Sequence, residues 1–372
     1  MRKLTRPILL ADSPEKNADV RYAVGLSAPD PIVCVVRGRD RYVIVPGMEL
    51  GRVRRLGSRV HAFTPEDLVG KGKPARRSSA AVALLRRLAI RSVDVPSSFP
   101  LEMARHLERE GIRLTVVPDP LFPARSRKRS EEIARIREAQ CAAVLAMDAA
   151  IAMIAAARPD RHGVLTFHGQ TLTSEAVRAQ LNQVLAAQQC SGGEIIVAGG
   201  ARSADPHEAG EGPLRAGELI VIDIFPRHFK HGYWGDLTRT VVRGCATARQ
   251  RGMYRAVRAA QSRALDRLRA GVTGASVHAA AVTEFERRRF PTQMAGGGPS
   301  GFIHGTGHGV GLDIHEAPSL NRIGGPLRAG NVVTVEPGLY YPDVGGIRIE
   351  DTVVVTSTGW RYLARCRHIF EL

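Results

Sequence analysis

Two apolar stretches in the C-terminal half, ELIVIDIF at 218–225 and GDLTRTVV at 235–242, have the composition of neighbouring β-strands. Each stretch carries one acid, Asp223 in the first and Asp236 in the second. An ionised carboxyl group in an apolar strand costs several kcal/mol unless a partner neutralises or binds it. These two strands therefore predict a site that needs positive charge.

A second pair of stretches repeats this arrangement. VVTVEPG at 332–338 carries Glu336, and GIRIEDTVVV at 346–355 carries Glu350, with a Pro/Gly-rich loop between them. Because both pairs place acids in or beside apolar strands, we expect the four carboxylates to converge. The two halves of this region repeat one design.

Four converging carboxylates need compensating charge. Arg239 and Arg348 are the nearest basic residues in the sequence, but two guanidinium groups offset only half of the negative charge. Two divalent cations would offset all of it. His308, in the segment HGTGHGVGLDIHE at 304–316, adds an imidazole, and its flanking glycines allow a close approach of the backbone.

The donor set indicates which ions and which reaction to expect. A donor set of four carboxylates and one imidazole favours Mn²⁺, Co²⁺ or Fe²⁺. Structural zinc sites are typically rich in thiolates instead. Two ions a few ångströms apart lower the pKa of a bridging water molecule and generate a hydroxide nucleophile near neutral pH. The chemistry predicted from these residues is hydrolysis.

Each residue taken alone has a simpler interpretation. A single buried Asp is more often a capping or hydrogen-bonding residue than a ligand, and Glu350 with Asp351 is also typical of an exposed strand end. A lone histidine is usually structural. The loop GTGHGVG at 305–311 has the glycine content of a phosphate-binding loop, but it does not match G-x-G-x-x-G and follows no clear parallel strand.

The motifs VIDIF, GDLTRT, HGTGHGVGLDIHE, TVEPGLYY and GIRIEDT follow one another in this order. With them the chain resembles the pita-bread metallopeptidases, the group of methionine aminopeptidase, aminopeptidase P, prolidase and creatinase. The resemblance implies an α+β fold with a C-terminal pita-bread domain at 124–372. It also implies a smaller α/β domain of the creatinase N-terminal type at 1–123, which methionine aminopeptidases generally lack.

The resemblance assigns metal ligands to five positions of this chain. Asp236 and Glu350 are expected to bridge two ions, Asp223 to complete one site, and His308 with Glu336 to complete the other. It implies two divalent ions per chain, first of all Mn²⁺, with Co²⁺, Fe²⁺ or Zn²⁺ as alternatives. Creatinase and the histone-chaperone relatives do not keep these ligands, so their retention favours a working peptidase.

The resemblance also implies roles for residues that are not ligands. His207 and His315 are expected to orient the substrate and stabilise the oxyanion. Glu336 would act in addition as general base and acid. His304 and Arg348 match positions that shape the substrate pocket, and the glycine-rich segment 294–303 is expected to form a mobile rim.

One feature departs from the family pattern. Asp223 and Asp236 are 13 residues apart, two more than we expect for the family. We place the insertion in the loop HFKHGYWG at 228–235, where it would leave both strands intact and change the rim of the pocket.

The residues before 124 have the pattern of a separate α/β domain. Two β-rich runs between Pro31 and Pro46 flank Arg39-Asp40, which predicts a hairpin, and alternating helices and strands follow up to residue 118. The proline-rich, basic stretch 118–129 then precedes a long helical pattern from Ser130. This composition favours a domain boundary near residue 123.

Composition limits the other classes of function. The net charge is +17, but the 53 Lys and Arg residues form no block and aromatic residues are 5%, which argues against a nucleic-acid-binding platform. The five cysteines are odd in number and form no C-x-x-C pair, so no disulfide framework is expected. The N-terminal apolar run is too short for a signal peptide, and 141–157 falls short of a membrane span. We expect a cytoplasmic protein.

These observations lead to one functional hypothesis and one alternative. The hypothesis is a dinuclear exopeptidase that hydrolyses Xaa-Pro bonds in dipeptides, as prolidase does, or at peptide N-termini, as aminopeptidase P does; the modest length favours prolidase. A homodimer is implied by the relatives. The alternative is a non-catalytic scaffold or binding protein, associated with nucleic acid through its basic charge.

Overall fold

The computed structural model describes residues 6–70, 76–295 and 298–372. The chain divides into two compact units, Met1–Arg125 and Ser126–Leu372. The boundary expected after residue 123 lies close to this division.

The first unit is built on a six-stranded sheet. Its strands are β1 Ile8–Asp12, β2 Ile32–Arg37, β3 Asp40–Ile44, β4 Val60–Phe63, β5 Ser92–Pro96 and β6 Arg113–Val117. They lie in the order β4-β3-β2-β1-β5-β6, and β1 is antiparallel to β2 but parallel to β5. Arg37 pairs with Asp40 in β2 and β3, which confirms the predicted hairpin.

Helices cover both faces of this sheet. They are α1 Ala18–Val24, α2 Gly47–Arg54, α3 Pro65–Val69, α4 Arg77–Arg87 and α5 Leu101–Arg109. Successive side chains of a strand point to opposite faces. In β1, Leu9 therefore packs in one core with α4 and α5, whereas Leu10 packs in another with α1 and α2. The first unit is the α/β domain expected from the sequence.

The second unit contains many short strands. They are β7 Arg158–Pro159, β8 Leu165–Phe167, β9 Gln170–Thr171, β10 Cys190–Ser191, β11 Ile196–Gly199, β12 Leu219–Ile224, β13 Arg227–His228, β14 Leu237–Val242, β15 Gln293–Ala295, β16 Gly298–Ser300, β17 Gly307–Gly309, β18 Glu316–Leu320, β19 Val332–Val335, β20 Gly338–Tyr341, β21 Gly345–Arg348, β22 Asp351–Val355 and β23 Trp360–Tyr362. Two of its antiparallel sheets have the orders β11-β12-β14 and β18-β17-β19-β22-β23.

Two pairs of helices pack on these two sheets. The helices are α6 Ser130–Ala156, α7 Ser174–Ala187, α8 Ala248–Arg267 and α9 Gly274–Arg287, and short 3₁₀ turns lie at Pro123–Ser126 and Gly200–Ala204. Helices α6 and α7 share a core with β12 and β14, and α8 and α9 share another with β19 and β22. Threonine side chains cap the starts of α7, α8 and α9 by accepting backbone N–H bonds. Each half of the unit thus holds one strand pair with its acids against one helix pair.

Helix α6 is long and apolar enough to cross a membrane by length and composition alone, so the expectation that 141–157 falls short of a span is wrong by that test. Half of its most apolar window is buried inside the protein, where Ala143, Met147 and Ile154 pack in a core. The core helix of a globular domain passes the same test, so this helix is explained by the packing of the second unit.

Candidate metal centre

The first strand pair fixes the two aspartates. Asp223 lies in β12 opposite Thr238 of β14, and Asp236 directly precedes β14. Gln140 of α6 donates a hydrogen bond to the Asp236 carbonyl and accepts one from its backbone N–H, both at 2.8 Å. These buried bonds hold the Asp236 backbone in place, and the strand register is regular despite the longer loop.

The second strand pair fixes the two glutamates. Val335 of β19 pairs with Asp351 of β22, so the adjoining residues Glu336 and Glu350 lie at the same end of the pair. The Glu350 backbone N–H donates to the Thr238 carbonyl at 3.0 Å, and the Thr238 hydroxyl donates to Glu350 Oε2 at 2.8 Å. Thr238 thereby joins the two halves at the site.

His308 enters the site from β17. Its Nε2 lies 3.1 Å from Glu336 Oε1 and 3.5 Å from Asp236 Oδ2. A Cβ at Gly307 would overlap the Thr334 carbonyl oxygen, so glycine is needed for this approach. Burial lowers the pKa of His308, but the hydrogen bond and charge of Glu336, with the charge of Asp236, raise it to about 9.

The charges of the site are unbalanced without cations. Burial and the neighbouring carboxylates hold the pKa of Asp236 and of Glu350 well above the usual range. Burial also raises the pKa of Glu336, but its hydrogen bond to His308 and the charge of that imidazole outweigh burial and lower it to about 2. Asp223 Oδ1 is buried and has no hydrogen-bond partner. A carboxylate oxygen in this position is a free ligand atom.

A directed chain of hydrogen bonds flanks Asp223. Arg348 donates to Asp223 Oδ2 at 2.7 Å and to the Tyr340 hydroxyl at 2.8 Å. Tyr340 lies 2.9 Å from His304 Nε2, and His304 Nδ1 lies 2.7 Å from the Gly305 carbonyl. A carbonyl only accepts, so His304 Nδ1 carries the proton and its Nε2 accepts from Tyr340. Since burial lowers the pKa of His304, the ring is neutral and held in one orientation.

Two further histidines border the same space. The ring of His315 stands edge-on to that of His308, with centroids 4.2 Å apart and an interplanar angle of 87°. Partial loss of solvent and the charge of His308 lower the pKa of His315. His207 lies in the loop after the second 3₁₀ turn and is exposed. Both line the cleft that contains the five predicted ligands.

A buried ion pair holds the loop that carries His315. Lys128 Nζ lies 2.5 Å from Glu316 Oε1, and the two side chains are 1% and 8% exposed. The same loop contacts the loop before Asp236, because the Trp234 indole N–H donates to the Leu312 carbonyl at 3.1 Å. The position of His315 is therefore set by residues far away in the sequence.

The structure brings every predicted site residue to one cleft of about 1200 Å³. Those lining it are Asp223, Asp236, His308, Glu336, Glu350, His207, His304, His315 and Arg348. Of the expected rim, Ile303 lines the cleft, whereas residues 296 and 297 lie outside the described part of the chain. The loop 226–235 contributes no described residue to this lining, and the expected change of the rim stays a prediction.

The interpretation of Arg239 as a charge partner of the four acids is also wrong. Its Nη2 bonds Asp351 Oδ1 at 2.7 Å, and its Nη1 bonds the backbone carbonyls of Thr238 and Glu350. It supports the strands behind the site.

Sequence reasoning missed three residues that shape the site. Tyr340 had a signal, because it lies in TVEPGLYY on the strand facing Arg348. Gln140 and Lys128 had none, since each acts on a residue about a hundred or more positions away.

The longer loop forms a second group of metal-ligand types. Ligand atoms of Glu138, His228 and His231 lie within 4.8 Å of one another, as do those of Asp236, His308 and Glu350. The rings of His228 and His231 are stacked with centroids 3.9 Å apart. His228 and Glu138 line a separate pocket of about 500 Å³.

The pita-bread class of metallopeptidases is defined by two acid-bearing strand pairs that meet a histidine at a shared cleft. Paired helices and antiparallel sheets support these strands. Residues 134–357 match the model of metallopeptidase family M24, and the chain belongs to this family.

Named relatives agree with this assignment. The chain is 37% identical over 174 residues to the Xaa-Pro dipeptidase of Pyrococcus furiosus, covering 46% of this chain and 47% of that protein. It is 31% identical over 283 residues to the Xaa-Pro dipeptidase of Pyrococcus horikoshii, covering 74% of each. The alignment thus spans about half the length of the first relative and about three quarters of the second.

The fold extends to both units. The solved structure titled prolidase from Pyrococcus furiosus superposes with a TM-score of 0.78 at 26% identity, covering 98% of this chain and 97% of that chain. The expected α+β architecture, a pita-bread domain preceded by a smaller α/β domain, is confirmed.

Proposed function

We propose that this protein is a dinuclear metal-dependent exopeptidase that hydrolyses Xaa-Pro peptide bonds. The observation that carries the proposal is the convergence of the five ligand positions on one cleft, with His207 and His315 beside them. The relatives named Xaa-Pro dipeptidase support the proline specificity.

The residues present fit two divalent cations. Asp223 Oδ1 is buried without a partner, and Asp236 and Glu350 are buried close to each other's charge. A donor set of carboxylate oxygens and one imidazole suits Mn²⁺, Co²⁺ or Fe²⁺, and we propose Mn²⁺ as the native ion. When bound, such ions polarise the substrate carbonyl and acidify a water molecule.

The surrounding side chains have separate tasks. Glu336, ionised at neutral pH because its pKa is about 2, accepts the proton of the attacking water and passes it to the leaving nitrogen. His315 is largely neutral because its pKa is lowered, and it donates a hydrogen bond to the oxyanion as that charge forms. His207, on the exposed side of the cleft, orients the substrate.

The pocket beside the ions suits a proline ring. An Xaa-Pro amide has no N–H, so the enzyme needs no acceptor at that point. His304 has its Nδ1–H bonded to Gly305 and its Nε2 bonded to Tyr340, and Arg348 is bonded to Asp223. These fixed side chains define the shape of the pocket and present no free acceptor for a peptide N–H.

Kinetics on Mn²⁺-loaded protein tests the proposal. We expect kcat/KM for the faster of Ala-Pro and Ala-Pro-Ala to exceed those for Ala-Ala, Ala-Ala-Ala and Met-Ala-Ala by at least about tenfold, or about 1.4 kcal/mol of transition-state binding. Similar rates on all five peptides would refute the proline specificity and leave a dinuclear hydrolase. No metal-dependent hydrolysis of any of the five would refute the proposal that the protein is a peptidase.

We also propose that the protein works as a cytoplasmic homodimer, as the resemblance to relatives with this first domain implies. Light scattering on the purified chain tests the dimer, and fractionation of the source cells tests the compartment. A monomer, or a membrane or secreted fraction, would contradict these proposals.

A further inference from the structure

The cleft is larger than a dipeptide requires. Its volume is about 1200 Å³, whereas pockets that enclose a whole drug-sized ligand measure about 300–1,000 Å³. A dipeptide is smaller than such a ligand. Space therefore remains beyond the second residue of a bound peptide.

A dipeptidase must also accommodate a C-terminal carboxylate next to the proline. Among the described residues that line the cleft, Arg178 and Arg348 are the permanently charged cations. Arg348 is bonded to Asp223 and Tyr340, as described above. Arg178 Nη1 donates to the carbonyls of Ala209 and Gly210, both at 2.7 Å, and its Nη2 lies 3.4 Å from Glu175 Oε1. Both guanidinium groups are thus engaged within the protein.

The other polar groups around the cleft suit a peptide backbone better than an anion. Asn182, one helical turn after Arg178, and Ser319 and Asn321, after His315, offer neutral amide and hydroxyl groups. Glu194 is exposed at the cleft and would repel a carboxylate. A carboxylate bound here would lose part of its hydration without gaining a free cation.

We infer that the cleft takes the N-terminal end of peptides of three or more residues in preference to dipeptides, so that the enzyme acts as an aminopeptidase. This inference rests on the proposed peptidase function and differs from the preference for prolidase that chain length suggested. The uncharged peptide bond after proline contacts the amide groups of the cleft. The rest of the peptide extends out of the open cleft into solvent.

Three substrates test the inference: Ala-Pro, its amide Ala-Pro-NH₂, and Ala-Pro-Ala. Ala-Pro and its amide have nearly the same size and differ in the C-terminal charge. We expect kcat/KM for Ala-Pro-NH₂ and Ala-Pro-Ala to exceed that for Ala-Pro by about tenfold or more. Equal rates, or a preference for Ala-Pro, would overturn the inference.

The same comparison with Ala-Ala, Ala-Ala-NH₂ and Ala-Ala-Ala separates the inference from the proposed specificity. If proline gives no advantage but the tripeptide still exceeds the dipeptide, the specificity for proline fails and the length preference stands. If Xaa-Pro substrates are preferred but dipeptides are fastest, the length preference fails alone.

A charge reversal tests the role of the cleft surface. Glu194→Lys adds a cation, and we expect the ratio of kcat/KM for Ala-Pro to that for Ala-Pro-NH₂ to rise about threefold, with the effect reduced at high salt. Glu286→Lys makes the same change at an exposed position of α9 that does not line the cleft. No change in Glu194→Lys, or an equal change in both variants, would overturn the electrostatic argument.

Discussion

Two groups in the second unit each combine acids with histidines at similar distances but differ in their chemistry. One is Asp236, His308 and Glu350, and the other is Glu138, His228 and His231; in each group the ligand atoms lie within 4.8 Å. Proximity alone makes both look like metal sites. The difference lies in what the second nitrogen of each imidazole contacts.

In the first group, His308 Nδ1 lies 3.2 Å from the carbonyl oxygen of Gly309. A carbonyl cannot donate, so Nδ1 carries a proton and donates it. Nε2, which lies beside Glu336 and Asp236, would then offer its lone pair to a bound cation. This is the arrangement found for histidines that bind metals, whose other ring nitrogen donates to an acceptor.

In the second group, the direction of the hydrogen bond at Nδ1 is reversed. The Nδ1 atoms of His228 and His231 accept backbone N–H bonds from Lys230 and Tyr233, both at 3.2 Å. A neutral ring then carries its proton on Nε2, and His231 Nε2 lies 3.2 Å from a carboxylate oxygen of Glu138. The second group is therefore a hydrogen-bonded loop anchor, and the hydrogen bonds around a histidine decide whether it serves as a ligand.

The largest expected effect tests the metal sites directly. Glu350→Ala should lose both ions and essentially all activity, because the resemblance assigns Glu350 as a bridge and two close cations would be poorly compensated without its carboxylate. His231→Ala should keep the metal content of the unsubstituted protein, which we expect to be two ions per chain. Elemental analysis after dialysis measures both. Two tightly bound ions in an active Glu350→Ala, or loss of an ion in His231→Ala, would contradict the comparison.

The next effect separates catalysis from metal binding at the first group. His315 touches the ring of His308 but is not expected to be a ligand. His315→Ala should keep its metal and lower kcat by about 10²–10³, the usual range for one oxyanion donor. If metal is lost while turnover per remaining ion is unchanged, His315 belongs to the metal site instead.

A smaller effect concerns the ion pair that holds the His315 loop. Lys128→Met leaves Glu316 buried without this cation, which should reduce the free energy of unfolding by about 3–5 kcal/mol. We expect kcat to fall about tenfold with KM nearly unchanged, because His315 is displaced. The double variant Lys128→Met/Glu316→Gln should recover part of the stability.

The matched control for this pair is Lys16→Met, at an exposed position of the first unit. It should change neither kcat nor the midpoint of urea unfolding appreciably. A Lys128→Met variant with unchanged kcat would show that the ion pair does not position His315.

The smallest effect is the pH dependence of stability from the second group. Burial, followed by the charge of His228, lowers the pKa of His231 to about 4. Because the folded pKa lies below that of an unfolded histidine, the contribution of His231 is present above about pH 6.5 and is lost as the pH falls toward 4. After allowance for solvent screening we expect a loss of about 1–2 kcal/mol.

Urea unfolding of the unsubstituted protein and His231→Gln at pH 7.5 and pH 5 measures this contribution. The substitution should reduce the loss of stability between the two pH values and leave kcat at pH 7.5 unchanged. An identical pH dependence in both proteins would contradict the lowered pKa.

Much of the architecture was predictable because its signals are local. The hairpin of β2 and β3 and the start of α6 at Ser130 lie where residue patterns placed them, since strand and helix patterns depend on residues close in sequence. The four acids were identifiable because they interrupt or end apolar strands. Arg239 was misinterpreted because its partner, Asp351, lies 112 residues away.

The sequence by itself determined the residue types of the site, their order and the strands that carry them. Only the tertiary structure decided that Lys128 reaches Glu316 and that Gln140 holds the backbone of Asp236. It alone decided that His308 donates through Nδ1 whereas His231 accepts there. The physical reason is that hydrogen-bond direction and buried charge pairing depend on which distant groups packing brings within about 3 Å, and residue types along the chain do not specify those neighbours.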